Sequence, residues 1–421
     1  MLTVGLALGT AWAIRGRFGH EQGAAWAGAI GVLCLILVSK RKDWYDRAFK
    51  ITMAAAFGWG ISGVMSYGII VGYGRGTDFV NVFYGLLMLF VLGLLYGFLG
   101  GGLFGLALVD SKDTRVKWHS VLTEMIAIGL LTYAVLINQF GWFMTPPRSE
   151  MWAACLGAAI ALAWYIVRHR HNNVLKVAVW SALGAGFGFA FGNFLQVMGS
   201  ISGIEFNFWN VMEYSIGFFG GIGMAFGTFT SSWPVVEEKT SPIANLLPIL
   251  FVALLIPFVV WDQSFVVRRF NFILESGGSP DTILAFQLLA ILFIVILAGW
   301  ILYRNYDAGK RSEIDGSRAV VREFFILYSS LYIFLSFLIT GVVVHPPEQY
   351  LYVLNLLLIL VLISKASGSF LVSEDKPRIW LRVAMIAIVA IALMALVAIN
   401  SHDGMPGSQM RFGAVENDQP K

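Results

Sequence analysis

Long apolar runs fill most of the chain and constrain its fold more than any other feature. Thirteen lie between residues 2 and 400, and a membrane-spanning helix needs about 20 mainly apolar residues. Only 13% of the positions are charged, against about 25% in soluble domains. The sequence therefore predicts an all-α polytopic membrane protein, a bundle of about 12–13 transmembrane helices. The runs cover residues 2–14, 22–39, 51–73, 80–109, 119–142, 151–167, 174–198, 208–230, 242–261, 282–303, 321–344, 350–364 and 379–400.

Basic residues collect in every second loop, which predicts the orientation of the chain. Basic loops stay in the cytoplasm by the positive-inside rule, so we expect an integral plasma (inner) membrane protein with its N-terminus in the cytoplasm. The basic set comprises Lys40, Arg41, Lys42, Arg47, Lys50, Lys112, Arg115, Lys117, Arg168, Arg170, Lys176, Lys239, Arg304, Lys310, Arg311, Arg318, Arg322, Lys365, Lys376, Arg378 and Arg382. The opposite loops hold only Arg15, Arg17, Arg75, Arg148, Arg268 and Arg269.

The loops are too short to fold into domains of their own. The longest, 262–281 and 304–320, hold about 20 residues each, which is below the size that buries an independent core. We expect a single transmembrane domain over residues 1–400 and a polar C-terminal tail over 401–421. The first run lacks a preceding basic region and a small-residue cleavage site, so we expect it to be a retained membrane segment.

Several functional classes find no support in the sequence. The basic residues lie in loops between apolar runs, so no nucleic-acid partner is expected. Cys34 and Cys155 both lie inside apolar runs, and no Cys/His cluster has the spacing of a metal site, so neither a disulfide, a metal nor a cofactor is predicted. The chain contains no Walker motif, no His-Glu-x-x-His, no Gly-x-Ser-x-Gly and no basic Gly-Asp-Arg loop of the major-facilitator type.

Two stretches resemble each other and indicate duplication. Residues 50–81 and 176–215 each contain a glycine-rich helix, a short loop with an acid and a second helix opened by an asparagine, Asn81 or Asn210. The opening segment fits the same plan more loosely. We therefore predict three related Gly-rich helical hairpins near 1–39, 50–109 and 174–230, with an extra helix pair over 242–303. A second pair of similar motifs, Thr145-Pro146-Pro147 and His345-Pro346-Pro347, ends two spans of the same orientation, as in a parallel repeat.

Glycine is abundant, with 45 residues against about 30 expected from the usual 7%. Two interpretations stay open. Small residues let helices in lipid approach closely. Alternatively, glycines next to the outer loops permit broken helices whose backbone groups line a cavity, as in secondary transporters.

The most charged candidate site is the stretch Arg15–Gly23 between the first two runs. The first run has 13 residues, which reach only about 20 Å as a helix, so this stretch is expected below the membrane surface. Arg15 and Arg17 suit bidentate capture of a carboxylate or phosphate. His20 and Glu21 suit proton transfer. The alternative is that these four residues form ion pairs among themselves.

Further candidates lie on the second and third predicted hairpins. Arg75 and Asp78 occupy the loop equivalent to the opening stretch. Ionisable and amide groups inside spans are costly and therefore candidate site residues. These are Asn193, Gln196, Asn210 and Glu213. The alternatives are interhelical hydrogen bonding for the amides and a glutamate that reaches the outer surface for Glu213.

Together these features predict a secondary membrane transporter for a small anionic solute, with an outward-facing polar cavity. Arg15, Arg17 and Arg75 would bind the solute, and Glu213 or His20 would carry a proton. The expected partners are a small-molecule solute and the lipid bilayer. The alternative is an integral-membrane transferase that acts on a lipid-linked substrate at the outer leaflet, with His20 as general base and Glu21 or Glu213 as its partner.

Overall fold

A computed structural model describes residues 1–236, 243–311, 314–341, 345–373 and 377–413, and every regular element in these ranges is helical. Some predicted features lie outside these ranges: Lys239, Lys376, the start of the apolar run at 242, the end of the run at 342–344, and residues 414–421 of the tail. The helices are α1 (Leu2–Arg15), α2 (His20–Ser39), α3 (Lys42–Asp46), α4 (Ala48–Ser62), α5 (Gly68–Tyr73), α6 (Phe79–Val109), α7 (Trp118–Gln139), α8 (Trp152–Arg168), α9 (Asn172–Ile201), α10 (Phe208–Phe229), α11 (Leu246–Ser264), α12 (Asn271–Glu275), α13 (Pro280–Arg311), α14 (Ile314–Ser336), α15 (Pro347–Lys365) and α16 (Pro377–Ile399).

Nine helices in the described part of the chain are long and apolar enough to cross a membrane, namely α2, α6, α7, α9, α11, α13, α14, α15 and α16. This confirms the prediction of an all-helical, multi-pass membrane protein. The other four predicted runs correspond to α1, to α4 with α5, to α8 and to α10. The run 51–73 is not one helix, because a turn over residues 63–67 separates α4 from α5.

Six helices close into a ring. Around it, α1 packs against α2, α2 against α4, α4 against α6, α6 against α9, α9 against α10, and α10 back against α1. Glycines allow these helices to touch: a methyl group at Gly97 of α6 would lie 2.1 Å from the Ser181 carbonyl oxygen of α9. One at Gly217 of α10 would lie 2.4 Å from the Leu8 oxygen of α1. Close backbone approach, one of the two roles considered for the glycines, is therefore present at these crossings.

Aromatic side chains fill the interior of the ring. The Trp12 ring lies 5.2 Å from that of Trp59 and 5.3 Å from that of Tyr96, both edge to face. Trp59 also touches the surrounding helices closely, since a methyl group at Gly28 or Gly100 would lie 2.6 or 2.5 Å from its ring. This aromatic plug (Trp12, Trp59 and Tyr96) separates the two ends of the ring.

The remaining helices pack outside the ring. α8 pairs with α7 and contacts α6, while α16 lies against α6 and α9. On the opposite side, α11, α14 and α15 contact α2, and α13 packs on α14.

The two predicted sets of loops lie at opposite ends of the bundle. At one end, Arg41 donates to the Trp233 carbonyl and Lys176 donates to the Ser373 carbonyl. At the other end, Arg17 pairs with Glu348 and Arg411 donates to the Phe143 carbonyl. We call these the basic end and the candidate-site end.

Candidate functional site

A buried ion pair lies above the aromatic plug, at the candidate-site end of the ring. Arg15, the last residue of α1, donates from Nη1 to Glu213 Oε2 of α10 at 3.0 Å. Only 1% of the Arg15 side chain and 8% of the Glu213 side chain are exposed. The Tyr67 hydroxyl accepts from Arg15 and donates to Glu213 Oε1. Arg15, Tyr67 and Glu213 form the ion-pair centre.

Local structure explains why three separate segments meet at this point. α1 ends at Arg15, and Gly23 on α2 leaves room for its side chain, since a methyl group there would lie 2.8 Å from Arg15 Cγ. The turn over 63–67 places Tyr67 between the two charges. Gly63 begins this turn against α2, where a methyl group would lie 2.5 Å from Glu21 Cα. The Arg15 guanidinium also lies 5.2 Å from the Trp12 ring centre, a cation–π contact that suits a desolvated cation.

His20 connects the ion-pair centre to the surface. Its Nδ1 lies 3.0 Å from Arg15 Nη2, and its ring meets that of Tyr67 edge to face at 5.8 Å. Because a guanidinium has only donors, Nδ1 must accept this hydrogen bond. The neutral imidazole therefore carries its hydrogen on Nε2. His20 is itself exposed, as is the neighbouring Glu21.

A second ion pair lies closer to the surface. Arg17 pairs with Glu348 at the start of α15, and Asn207 Nδ2 donates to the same carboxylate oxygen at 3.1 Å. The acids that neutralise Arg15 and Arg17 thus come from α10 and α15. The idea that the opening stretch forms its ion pairs internally is wrong for both arginines.

The amide of Asn210 joins three helices. It donates to the Ala13 carbonyl at 3.1 Å and to the Tyr352 hydroxyl. This is the interhelical hydrogen bonding considered as the alternative to ligand binding. Glu213, one turn further along α10, does not reach the surface as its own alternative required, since the whole residue is only 6% exposed.

Arg75, Asn193, Gln196 and Trp209 form an outer cluster. The Arg75 guanidinium lies 5.0 Å from the Trp209 ring centre. With its amide oriented to satisfy both neighbours, Gln196 accepts from Arg75 at 2.9 Å and from Trp209 Nε1 at 3.2 Å. In that orientation the Gln196 amide nitrogen lies 3.0 Å from the amide of Asn193. The Phe189 ring, on the same helix, lies 4.9 Å from that of Tyr67, so about 10 Å of helix separates the level of the ion-pair centre from Gln196.

Asp78 does not join either cluster. It is exposed and caps α6, because its carboxylate accepts from the backbone nitrogen of Asn81 at 2.9 Å. Asn81 in turn holds the C-terminal tail: its Oδ1 accepts from the backbone nitrogens of Arg411 and Phe412 at 2.6 and 2.8 Å. Earlier in the tail, the Pro406 carbonyl accepts from Arg75 at 3.3 Å.

Sequence reasoning missed Tyr67 and Tyr352 as parts of the site. Tyr67 lies in a run without charged residues, and its one signal is that Gly63 and Gly68 flank it. Tyr352 lies in the apolar run of α15 and has no distinguishing sequence signal.

Among the described residues, no group of three or more His, Cys, Asp or Glu side chains is placed to hold a metal ion. Arg15 and Arg17 are instead matched by two buried carboxylates, Glu213 and Glu348, so the charges around the ion-pair centre are balanced. Comparison with known protein families, with characterised proteins and with solved structures finds no match for this chain.

Proposed function

We propose that the protein is a secondary transporter that moves a small anionic solute together with a proton. The observation that carries the proposal is the ion-pair centre, where Arg15 and Glu213 pair at 3.0 Å in a buried position. A buried pair of this kind is costly to desolvate and contributes little net stability. Such groups inside membrane proteins commonly mark transport pathways and proton relays.

The pair couples proton binding to anion binding by simple charge balance. Protonation of the Glu213 carboxylate removes the negative charge that neutralises Arg15. The guanidinium then has two N–H groups for a carboxylate or phosphate oxygen, the geometry that arginine binds best. One proton and one monovalent anion enter together, and the site stays neutral. Tyr67 contacts both Arg15 and Glu213 and can shift its hydrogen bond as the carboxylate changes charge.

The outer cluster supports a route from the candidate-site end. Arg75 offers a second cation, and Asn193 and Gln196 offer polar atoms along one face of α9. We place this end outside the cell, because the loops of the other end carry most of the basic residues. The N-terminus is then cytoplasmic and the membrane is the plasma (inner) membrane.

We further propose that α1 with α2, α4 to α6, and α9 with α10 are three related glycine-rich hairpins. In support, these hairpins follow one another around the ring in chain order, and each contributes to the ion-pair centre or the outer cluster. Parallel repeats of this kind occur in transporters that bind their substrate where the repeats meet.

The transferase alternative assigns His20 as general base, and the hydrogen bond from Arg15 weighs against it. A base needs a free lone pair directed at its substrate. In His20 the lone pair on Nδ1 is occupied by Arg15 at 3.0 Å, and Nε2 carries a hydrogen.

Uptake by proteoliposomes containing the full chain tests the proposal. Gluconate, glucuronate, pyruvate and monobasic phosphate, all monovalent, are added outside, and a dye inside reports pH. Wild-type protein should acidify the lumen with at least one of these anions. Arg15→Gln should abolish anion uptake, whereas Glu213→Gln should retain anion binding but no longer move protons.

The matched control is Arg168→Gln, which removes a surface arginine whose partner Glu124 lies 2.8 Å away at the basic end. It should transport as the wild type does. Normal uptake by Arg15→Gln, anion uptake without acidification, or no uptake of any of the four anions by folded wild-type protein would refute the proposal.

A further inference from the structure

Two adjoining cavities lie at the basic end, away from the candidate site. The first, of about 240 Å³, opens between α4, α6, α7 and α11, and its lining includes the apolar side chains Met53, Ala54, Phe57, Leu103, Leu122 and Phe251. The second, of about 870 Å³, is polar and lies along the loop between α6 and α7. Lys50 and Trp118 line both cavities, so an apolar pocket continues directly into a polar one.

Asp110 fixes the boundary between the two cavities. Its carboxylate pairs with Lys50 Nζ at 2.7 Å and accepts from Trp118 Nε1 at 2.8 Å. It also accepts from the backbone nitrogen of Val116 at 3.0 Å. These contacts hold the Lys50 ammonium and the Trp118 indole at the same depth along the bundle, where the two cavities meet. Tryptophan prefers this level of a bilayer, where apolar core meets headgroups.

The polar cavity has an excess of positive charge. Four bases line it, namely Lys50, Lys112, Arg115 and Lys117, and the same loop holds two acids, Asp110 and Asp113. Asp110 is already neutralised by Lys50. Arg115 and Lys117 are exposed at the mouth, so the cavity is complementary to an anionic group that approaches from the membrane surface.

We propose that this double cavity binds one anionic phospholipid, with an acyl chain in the apolar cavity and the phosphate headgroup against Arg115 and Lys117. A free phosphate would use only the polar half, and a neutral lipid would bring no negative charge to Arg115 and Lys117. A lipid satisfies both halves, and basic pockets between membrane helices bind anionic headgroups in this way. The proposal is independent of transport, because none of its residues belongs to the ion-pair centre or the outer cluster.

Native mass spectrometry of the full-length protein, released from detergent, tests this site by counting bound lipids. The probes are dioleoyl phosphatidylglycerol, dioleoyl phosphatidylcholine and inorganic phosphate. Phosphatidylglycerol should bind more tightly than phosphatidylcholine. Each basic residue near an anionic headgroup accounts for about fivefold in affinity, so Arg115→Gln/Lys117→Gln should weaken phosphatidylglycerol binding by about 25-fold.

Two further variants separate the halves of the site. Ala54→Phe fills the apolar cavity and should weaken binding of phosphatidylglycerol, although it changes no charge. The matched controls are Lys365→Gln, an exposed base on another helix at the same end, and Leu288→Phe, which adds bulk to an exposed position on α13. Both should bind like the wild type. The single variant Arg115→Gln replaces the double one if the latter does not fold.

Three outcomes would overturn the proposal. Equal binding of the two lipids would show that charge is not recognised. Variants that behave like their controls would place any bound lipid elsewhere. Displacement of phosphatidylglycerol by equimolar inorganic phosphate would show that the cavity takes a free anion and no acyl chain.

Discussion

Replacing Arg15 and Glu213 singly and together is the sharpest test of the ion-pair centre. Arg15→Met leaves the Glu213 carboxylate buried with only the Tyr67 hydroxyl beside it, and Glu213→Leu leaves a buried guanidinium. Since these side chains are 1% and 8% exposed, the lost charge cannot be replaced by bulk water. Each single substitution should therefore lower the free energy of unfolding by about 3–5 kcal/mol.

The double substitution Arg15→Met/Glu213→Leu removes both charges and should be much less harmful. Buried ion pairs replaced by apolar residues of similar volume are often neutral or stabilising. The Tyr67 hydroxyl then loses both partners, which costs about 1–3 kcal/mol. We expect the double variant to lose no more than this amount, so that the two single effects are strongly non-additive.

Denaturant unfolding of the full chain in detergent measures these free energies. The control cycle uses Arg168 and Glu124, which pair at 2.8 Å with 41% and 30% of their side chains exposed. Because exposed pairs contribute at most about 1 kcal/mol, its coupling should be small. A coupling at Arg15 and Glu213 no larger than this control would refute a desolvated ion pair, and with it the charge coupling that we propose for transport.

Three further predictions follow from contacts elsewhere in the chain. Gly97→Ala should lower the free energy of unfolding by about 1–3 kcal/mol, since its methyl group meets a backbone oxygen. A methyl group at Gly299 would have nothing within 4 Å, so Gly299→Ala should raise the free energy of unfolding by about 0.5–1 kcal/mol. Equal effects of the two substitutions would contradict the close contact of α6 with α9 at Gly97. Arg17→Ala should destabilise the protein more than Glu348→Ala. The first variant leaves the Glu348 carboxylate, 2% exposed, without its cation, whereas the second leaves Arg17, which is 27% exposed and can be hydrated. Thermal unfolding of both variants shows which one is less stable. Asn81→Ala removes the hydrogen bonds that hold residues 411 and 412, so trypsin should cleave after residue 411 about tenfold faster or more, and an unchanged rate would show that other contacts hold the tail.

The helical architecture could be predicted from the sequence because its cause is local. In lipid each spanning segment must satisfy its own backbone, so a long apolar run is sufficient to predict a helix. The break between α4 and α5 could not be predicted in this way. Residues 63–67 are as apolar as their neighbours, and an irregular backbone is tolerated there only because α2 covers it, which is a property of the tertiary packing.

The candidate residues of the site could be predicted, but their pairing could not. Charges in apolar surroundings identified Arg15 and Glu213, since each is costly alone. These residues are 198 positions apart, and no sequence pattern indicates that α10 closes the ring against α1. The sequence predicts ion pairs among neighbours in the opening stretch, whereas the structure pairs both arginines with acids of α10 and α15. For Asp78 the contact itself is recognisable from the sequence. An acid directly before a helix commonly caps it by accepting from the backbone nitrogen three residues later, as Asp78 does from Asn81.

The transport proposal also requires that Arg15 be reached from the basic end, and the aromatic plug determines how. Trp59 cannot simply rotate away, because glycines of α2 and α6 approach its ring so closely that a methyl group there would lie within 2.6 Å of it. Closely packed interiors change between discrete arrangements and do not deform continuously. Opening the basic end must therefore move α4 as a body relative to α2 and α6. The turn over 63–67 follows α4 directly and ends with Tyr67, so such a movement would also change the hydrogen bonds at the ion-pair centre. The state of the Arg15–Glu213 pair and the position of the plug are then linked through one segment, which is the connection that coupled transport needs.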